Sequence, residues 1–491
     1  MSREHGSDGR APDILVLGGS ISGLATALFV ARRGGRVTVL DPDPDVAPHP
    51  FDETVGRSPR WTTPQAHHSH AFLARGRGVL HDEAPDVLAA LLAAGVHELS
   101  LADAAPLPLP DRTADDDALI VLLSRRTTFE ALLRSTVVEE PGIDYRVGVG
   151  ATDLIYDRTV TPPRVVGAVL DDDRHLHADV VVDATGRRGD VRRWLADAGI
   201  AMDASDDDCG IAYHSRFYRL RLGADWAPLN RVYTAGSSFD RYSCLVFPGD
   251  GDTFSVTFGT LPKDRDLHPL RRDEPFHAAA RSLPLIGPWV DARRAEPISG
   301  VQTMARMRNQ LRRTMVDGTP TVMGLAAVGD AAAISNPAHS RGCSLALLHA
   351  QQLADAIVTD GDDPDALAVA VDRILDEVLA PWIEDSRRQD AARLVRWDPD
   401  GGHEPPMPDP GRVTNGEAYV ASHHDAYVWG RFTRLQQLLV TPDEALTDPE
   451  LVRRVRAVQA AGLGLPPLDA PSHDELAAIL HGVDAAVPVA S

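Results

Sequence analysis

Residues 16–24 read VLGGSISGL, a set of small residues enclosed by apolar ones. In a dinucleotide-binding turn the first glycine permits a tight bend, the second lets backbone approach a pyrophosphate, and the third lets helix and strand pack closely. Gly18 and Gly23 hold the first and third places, whereas Ser20 stands at the second with Gly19 beside it supplying backbone freedom. The Ser20 hydroxyl can donate to phosphate, and the N-terminus of a following helix is an anion site in its own right. Asp41 stands 23 residues beyond Gly18, where an acid hydrogen-bonds ribose hydroxyls and disfavours a 2'-phosphate.

A second chemical element is AAVGDAAAISNPAHSRGCSLALL, residues 326–348. It reads as a buried strand, then Gly329-Asp330, a loop with Pro337 and Gly342, and a leucine-rich helix. An acid at a strand end can hold a ribityl hydroxyl, and the next helix N-terminus can stabilise negative charge on a reduced isoalloxazine. Together the two elements favour a flavin dinucleotide over a nicotinamide one.

These residues need a scaffold of buried strands. Asp13–Leu17 is an apolar run without alternation, as expected of a strand covered on both faces. Leu24, Ala27, Leu28 and Ala31 fall at helical spacing, Gly34 and Gly35 stop the helix, and RVTVL (36–40) completes a βαβ start. The uncharged stretch 14–31 is accordingly read as strand, turn and helix, not as a membrane anchor. Residues 42–66 read as irregular, and helical patterns follow at 73–95 and 128–139. Strand-like blocks occupy 165–170 and 179–182, the second leading into DATGRRGD. From about 210 to 305 the pattern alternates between Gly and Pro turns, the mark of an antiparallel sheet. The region beyond 361 is helical apart from the loop 397–416.

Composition narrows the function classes. With 49 Lys and Arg against 71 Asp and Glu the net charge is -22, so nucleic acid and anionic membranes are not expected partners. Cys209, Cys244 and Cys343 are few, odd in number and far apart, which fits a reducing, cytoplasmic setting without disulfides. His67, His68 and His70 lack a neighbouring acid, and no metal is expected there.

The combined motifs resemble the FAD-dependent monooxygenases with the p-hydroxybenzoate hydroxylase fold, in their branch of natural-product hydroxylases and epoxidases. GGSISGL resembles that branch's FAD turn, which implies cofactor contacts from Gly18, Gly19, Ser20, Ser22 and Gly23. PQAHHSHAFLARG (64–76) resembles a P-Q-x-x-H-x-H segment, with His68 and His70 in the two histidine places, and implies a cofactor-loop role for Gln65, His68 and His70. SRRTTFEALLR (124–134) resembles a helix start whose first arginine, here Arg126, contacts FAD. GDAAAISNPAHSRGCS implies Asp330 on the ribityl chain and Pro337 and Gly342 beside the ring, with His339 and Arg341 as candidates to position substrate or donate a proton. LVFPGDG (245–251) resembles the strand-turn of the substrate domain.

The fold class so implied is α/β: a discontinuous Rossmann-like FAD-binding domain (1–205 and 311–360), an inserted mostly antiparallel β-sheet substrate domain (206–310) and a helical C-terminal region (361–491). The implied activity is hydroxylation or epoxidation of a small, largely apolar secondary metabolite, with O2 as co-substrate, through a flavin C4a-hydroperoxide. Two departures from the pattern stand out: Ser340-Arg341-Gly342 replaces G-x-G, and Ala184-Thr185-Gly186 replaces A-D-G, although Arg192 matches the arginine closing that motif. Thr185 cannot supply the carboxylate tied to NADPH use, so the electron source is either NAD(P)H or a separate flavin reductase. The rival readings are a flavin-dependent reductase or dehydrogenase acting on C=C bonds, a flavin-dependent halogenase and a flavin- or nucleotide-binding regulatory protein. A halogenase needs an active-site lysine and a W-x-W-x-I-P segment, and the sole lysine, Lys263, lies in a distant turn.

Overall fold

The computed structural model describes residues 12–43, 65, 68–109, 112–405, 407 and 409–486. The irregular segment expected at 42–66 lies outside these residues apart from Pro42, Asp43 and Gln65, and so does His67.

The apolar run Asp13–Leu17 forms β1 and Ile21–Arg32 forms helix α1, which Gly34 closes in the left-handed region. Arg36–Asp41 is β2. The stretch 14–31 is therefore strand, turn and helix, and among the described residues no helix is long and apolar enough to cross a membrane. Helix α2 (Arg126–Glu139) leads into β3 (Ile143–Val147), and β4 (Val180–Asp183) is buried throughout. Between them Arg164–Leu170 pairs antiparallel with Ala151–Asp157 and His175–His177, so only the second strand-like block joins the main sheet.

The alternating region forms β5 (Ala212–Leu220), β6 (Ala235–Ser238), β7 (Tyr242–Pro248), β8 (Thr253–Thr260) and β9 (Ala295–Pro297). They lie in the antiparallel order β6-β7-β8-β5-β9. The chain then returns as β10 (Leu325–Ala327), parallel to β4, which completes a five-stranded parallel sheet ordered β10-β4-β1-β2-β3. Helix α3 (Gly342–Asp360) covers this sheet by packing on α1, and α4 (Ala380–Trp397) opens the long helical part of the C-terminal region. The last helix, His473–Ala486, leaves that region and buries Leu476 and Leu480 in the core of the inserted sheet. Two leucines four residues apart on one helical face are enough to dock it there.

A buried ion pair joins the inserted sheet to the cofactor domain. The Arg125 side chain donates to Asp250 at 2.7 and 3.1 Å, the Arg125 backbone N–H donates at 2.6 Å, and Thr128 Oγ1 adds 2.7 Å. Both ionic side chains are almost wholly buried. The Asp250 carboxylate thus anchors the turn after β7 on the start of α2. Asp250→Ala removes the buried carboxylate that Arg125 and Thr128 share and is expected to lower stability by about 3–5 kcal/mol, read as a lower midpoint in urea unfolding.

Candidate functional site

The turn between β1 and α1 is built for close approach. Gly18 has φ +117°, and a Cβ there would stand 2.5 Å from the Ala184 carbonyl oxygen, so only glycine fits. Helix α1 starts at Ser20, whose side chain does not cap it, which leaves first-turn N–H groups for an anion. The Ser20 hydroxyl is engaged elsewhere: it donates to Glu130 at 2.9 Å and accepts from Arg126 at 3.0 Å. The Ser20 proton is thus directed at a buried carboxylate, and the hydroxyl is already engaged on both sides.

Helix α2 presents Arg126, Glu130 and Arg134 on one face at i, i+4 and i+8. Arg134 donates to Glu130 and to the Gly19 carbonyl, both at 3.0 Å, and to Tyr145 at 3.0 Å. The Tyr145 hydroxyl donates to Asp41 at 2.6 Å. Asp41 ends β2 fully buried, and its other oxygen accepts the Asp43 N–H at 3.2 Å. Glu130, Arg134 and Tyr145 were not singled out from the sequence, although the four-residue spacing on α2 was a visible signal.

At the end of β10, Asp330 has no hydrogen-bond partner for its carboxylate among the described residues. Burial raises its pKa, while Arg126, Arg187 and Arg312 pull it down. Arg126 therefore serves both halves of the site, touching Ser20 on one side and acting on Asp330 on the other, and its buried Nε lies 3.5 Å from Glu130 without a hydrogen bond among the described residues. Ser22 packs directly under Gly329, which brings the two sequence motifs together. The Gln65 carbonyl accepts the His68 N–H at 3.1 Å, and the His68 ring bonds to Ser215 on β5 at 3.1 Å, so His68 faces the inserted sheet. His70 is pushed down to about 3 by burial and by Arg126.

The loop from Asn336 to Gly342 is held from behind. Asn336 is fully buried, accepts the Tyr213 hydroxyl at 2.6 Å and donates to Asp390 at 2.5 Å. Asp390 also accepts from Asn309 and Arg393, each at 2.8 Å. Pro337 and His339 form one 3₁₀ turn, Ser340 has φ +55°, and Gly342 begins α3. The Arg341 guanidinium is buried, donates to Asp385 at 2.6 Å and lies 4.9 Å from the Trp382 ring centre. His339 is pushed down to about 4, by burial first and Arg341 second, so it is neutral at pH 7. No spacing rule links residues 336 and 341 to 385 and 390, and these partners were missed.

His339 and Ser340 line a cleft of about 2000 Å³ between the inserted sheet and the C-terminal helices, whereas Arg341 does not reach it. Its wall combines Leu99, Leu101, Tyr233, Phe247, Trp429 and Phe432 with several charged groups, so it is less apolar than expected. At the DATGRRGD segment Thr185 Oγ1 donates to Asp183 at 2.5 Å, and Asp183 is raised by burial.

The donor set fits FAD: a cradle that only glycine leaves open, an α1 N-terminus without a side-chain cap, an Arg126 Nε without a hydrogen bond and an Asp330 carboxylate without one among the described residues. Asp330→Ala is expected to weaken FAD binding by about ten- to a hundredfold, the worth of a hydrogen bond to a charged group, as measured by titrating apoprotein with FAD. Unchanged affinity contradicts this placement.

Residues 13–200 match the family model of the FAD dependent oxidoreductases. Protein Rv3254 of Mycobacterium tuberculosis is 27% identical over 370 residues, 70% of this chain and 72% of that protein. Aklavinone 12-hydroxylase RdmE of Streptomyces purpurascens is 44% identical over 48 residues, 10% of this chain and 9% of that protein. Among solved structures, p-nitrophenol 4-monooxygenase PnpA of Pseudomonas putida DLL-E4 superposes with a TM-score of 0.55 at 16% identity, covering 93% of this chain and 99% of that one. Flavin-dependent halogenases share the fold as well. Residues 13–200 thus carry the match to the FAD dependent oxidoreductases, and the chain shares the fold of solved flavin-dependent enzymes.

Proposed function

We propose that the protein is a monooxygenase that hydroxylates or epoxidises an electron-rich carbon of a ring-containing secondary metabolite. The observation that carries this reading is the shared loop: Asp330 and Arg126 flank the cofactor turn behind it, and His339 and Ser340 on its front line the cleft. Reduced FAD supplies the electrons and the oxygen activation, and one atom of O2 enters the product while the other leaves as water. The polypeptide binds the cofactor, shields it from bulk water and orients the substrate, which requires no catalytic triad. His339, neutral at pH 7, is placed to hydrogen-bond substrate. Arg341, locked on Asp385, positions the loop instead of touching substrate.

The cleft volume of about 2000 Å³ exceeds the roughly 300–1,000 Å³ of common ligand sites, which suits a multi-ring substrate. The short similarity to an aklavinone hydroxylase points the same way. Lys263 is exposed, pairs with Asp398 at 2.7 Å and does not line the cleft, which favours oxygenation over halogenation. With Thr185 bonded to Asp183 in place of the family's acid, electrons arrive from a separate flavin reductase rather than directly from NAD(P)H. Incubation with 18O2, a flavin reductase and candidate polycyclic substrates is expected to give product heavier by one labelled oxygen. Equal turnover under anaerobic conditions would refute the reading. Rapid NADPH oxidation by the purified protein alone would refute the electron source.

A further inference from the structure

The cleft wall carries six arginines, and their partners separate them. Arg388, Arg393, Arg412 and Arg456 are paired with Glu384, Asp390, Asp443 and Glu417. Arg231 and Arg396 form no ion pair with a carboxylate among the described residues. Arg396 is exposed, toward the C-terminal end of α4. Arg231 is partly buried and preoriented: its guanidinium lies 4.7 Å from the Tyr419 ring centre, and its Nε donates to the Tyr419 hydroxyl at 3.2 Å.

The backbone around Arg231 is also unusual. Arg231 to Thr234 close a tight turn whose second residue, Val232, has φ +59°. A β-branched residue in the left-handed region is strained, and such strain persists where surrounding structure enforces it, often at ligand sites. Tyr233, next in the turn, lines the cleft together with His339 and Ser340 of the loop before α3.

We infer that Arg231 is the recognition site for an anionic group, a carboxylate or an acidic enolate or phenolate, on an aromatic substrate. A guanidinium with its Nη donors uncommitted to any acid can take such a group in a fork of two hydrogen bonds, and Tyr419 fixes its plane. Phe432, 6.2 Å from Tyr419, and Phe247 supply apolar wall for the ring body. The substrate class is therefore an arene that carries an acid, bound with its charged end at Arg231 and its ring toward His339. This rests on the cleft's assignment as the substrate site but not on the oxygenation chemistry.

The test uses FAD-loaded protein and a series of mono- to tetracyclic arene carboxylates, each with its neutral carboxamide, titrated by the change in flavin absorbance. Wild type is expected to bind the best carboxylate about tenfold or more tighter than its amide, with the preference lost in Arg231→Gln and partly kept in Arg231→Lys. FAD occupancy and amide binding are expected to stay unchanged in both variants. Equal affinity for acid and amide in wild type, binding of neither, or a preference that survives Arg231→Gln overturns the inference. Failure of 18O incorporation with this preference intact would instead count against the oxygenase reading.

Discussion

Two buried carboxylates on one helix set the position of the loop that borders the cleft. Asp385 and Asp390 on α4 are almost fully buried, a costly state for charge unless every oxygen is satisfied. Asp390 takes Asn309, Asn336 and Arg393, and Asp385 takes Arg341, Gln389 and Asn415. Burial opposes the charge of Asp385, yet Arg341 and its other donors hold its pKa below the usual carboxylate range. The C-terminal helices thereby act on the cofactor loop directly, and the region is more than a cover.

A second buried network does the same for the cofactor turn. Glu130 lies between Arg126 and Arg134, and through them and Ser20 it fixes the backbone of the turn between β1 and α1. Arg125, the residue before α2, turns the other way to hold Asp250. Adjacent arginines at one helix start thus serve the cofactor domain and its junction with the inserted sheet.

The departures from the family pattern find physical accommodation here. Ser20 is not a defect in a glycine fingerprint, because its hydroxyl replaces backbone space with a bond to Glu130. Ser340 takes the left-handed conformation that glycine would adopt freely, and the loop tolerates it because both flanks are tied to α4.

What the sequence determined by itself was local: buried strands without alternation, a glycine turn before a helix, alternating strands in the insertion, and an acid after a returning strand. Each depends on residues within a few positions of one another, where periodicity and backbone conformation are legible. The tertiary structure alone decided that Arg341 pairs with Asp385, that His68 faces Ser215, that the last helix docks on the inserted sheet and that Arg231 stands in the cleft without an acid among the described residues. Those outcomes join residues tens to hundreds of positions apart, and only packing chooses which donor reaches which buried charge.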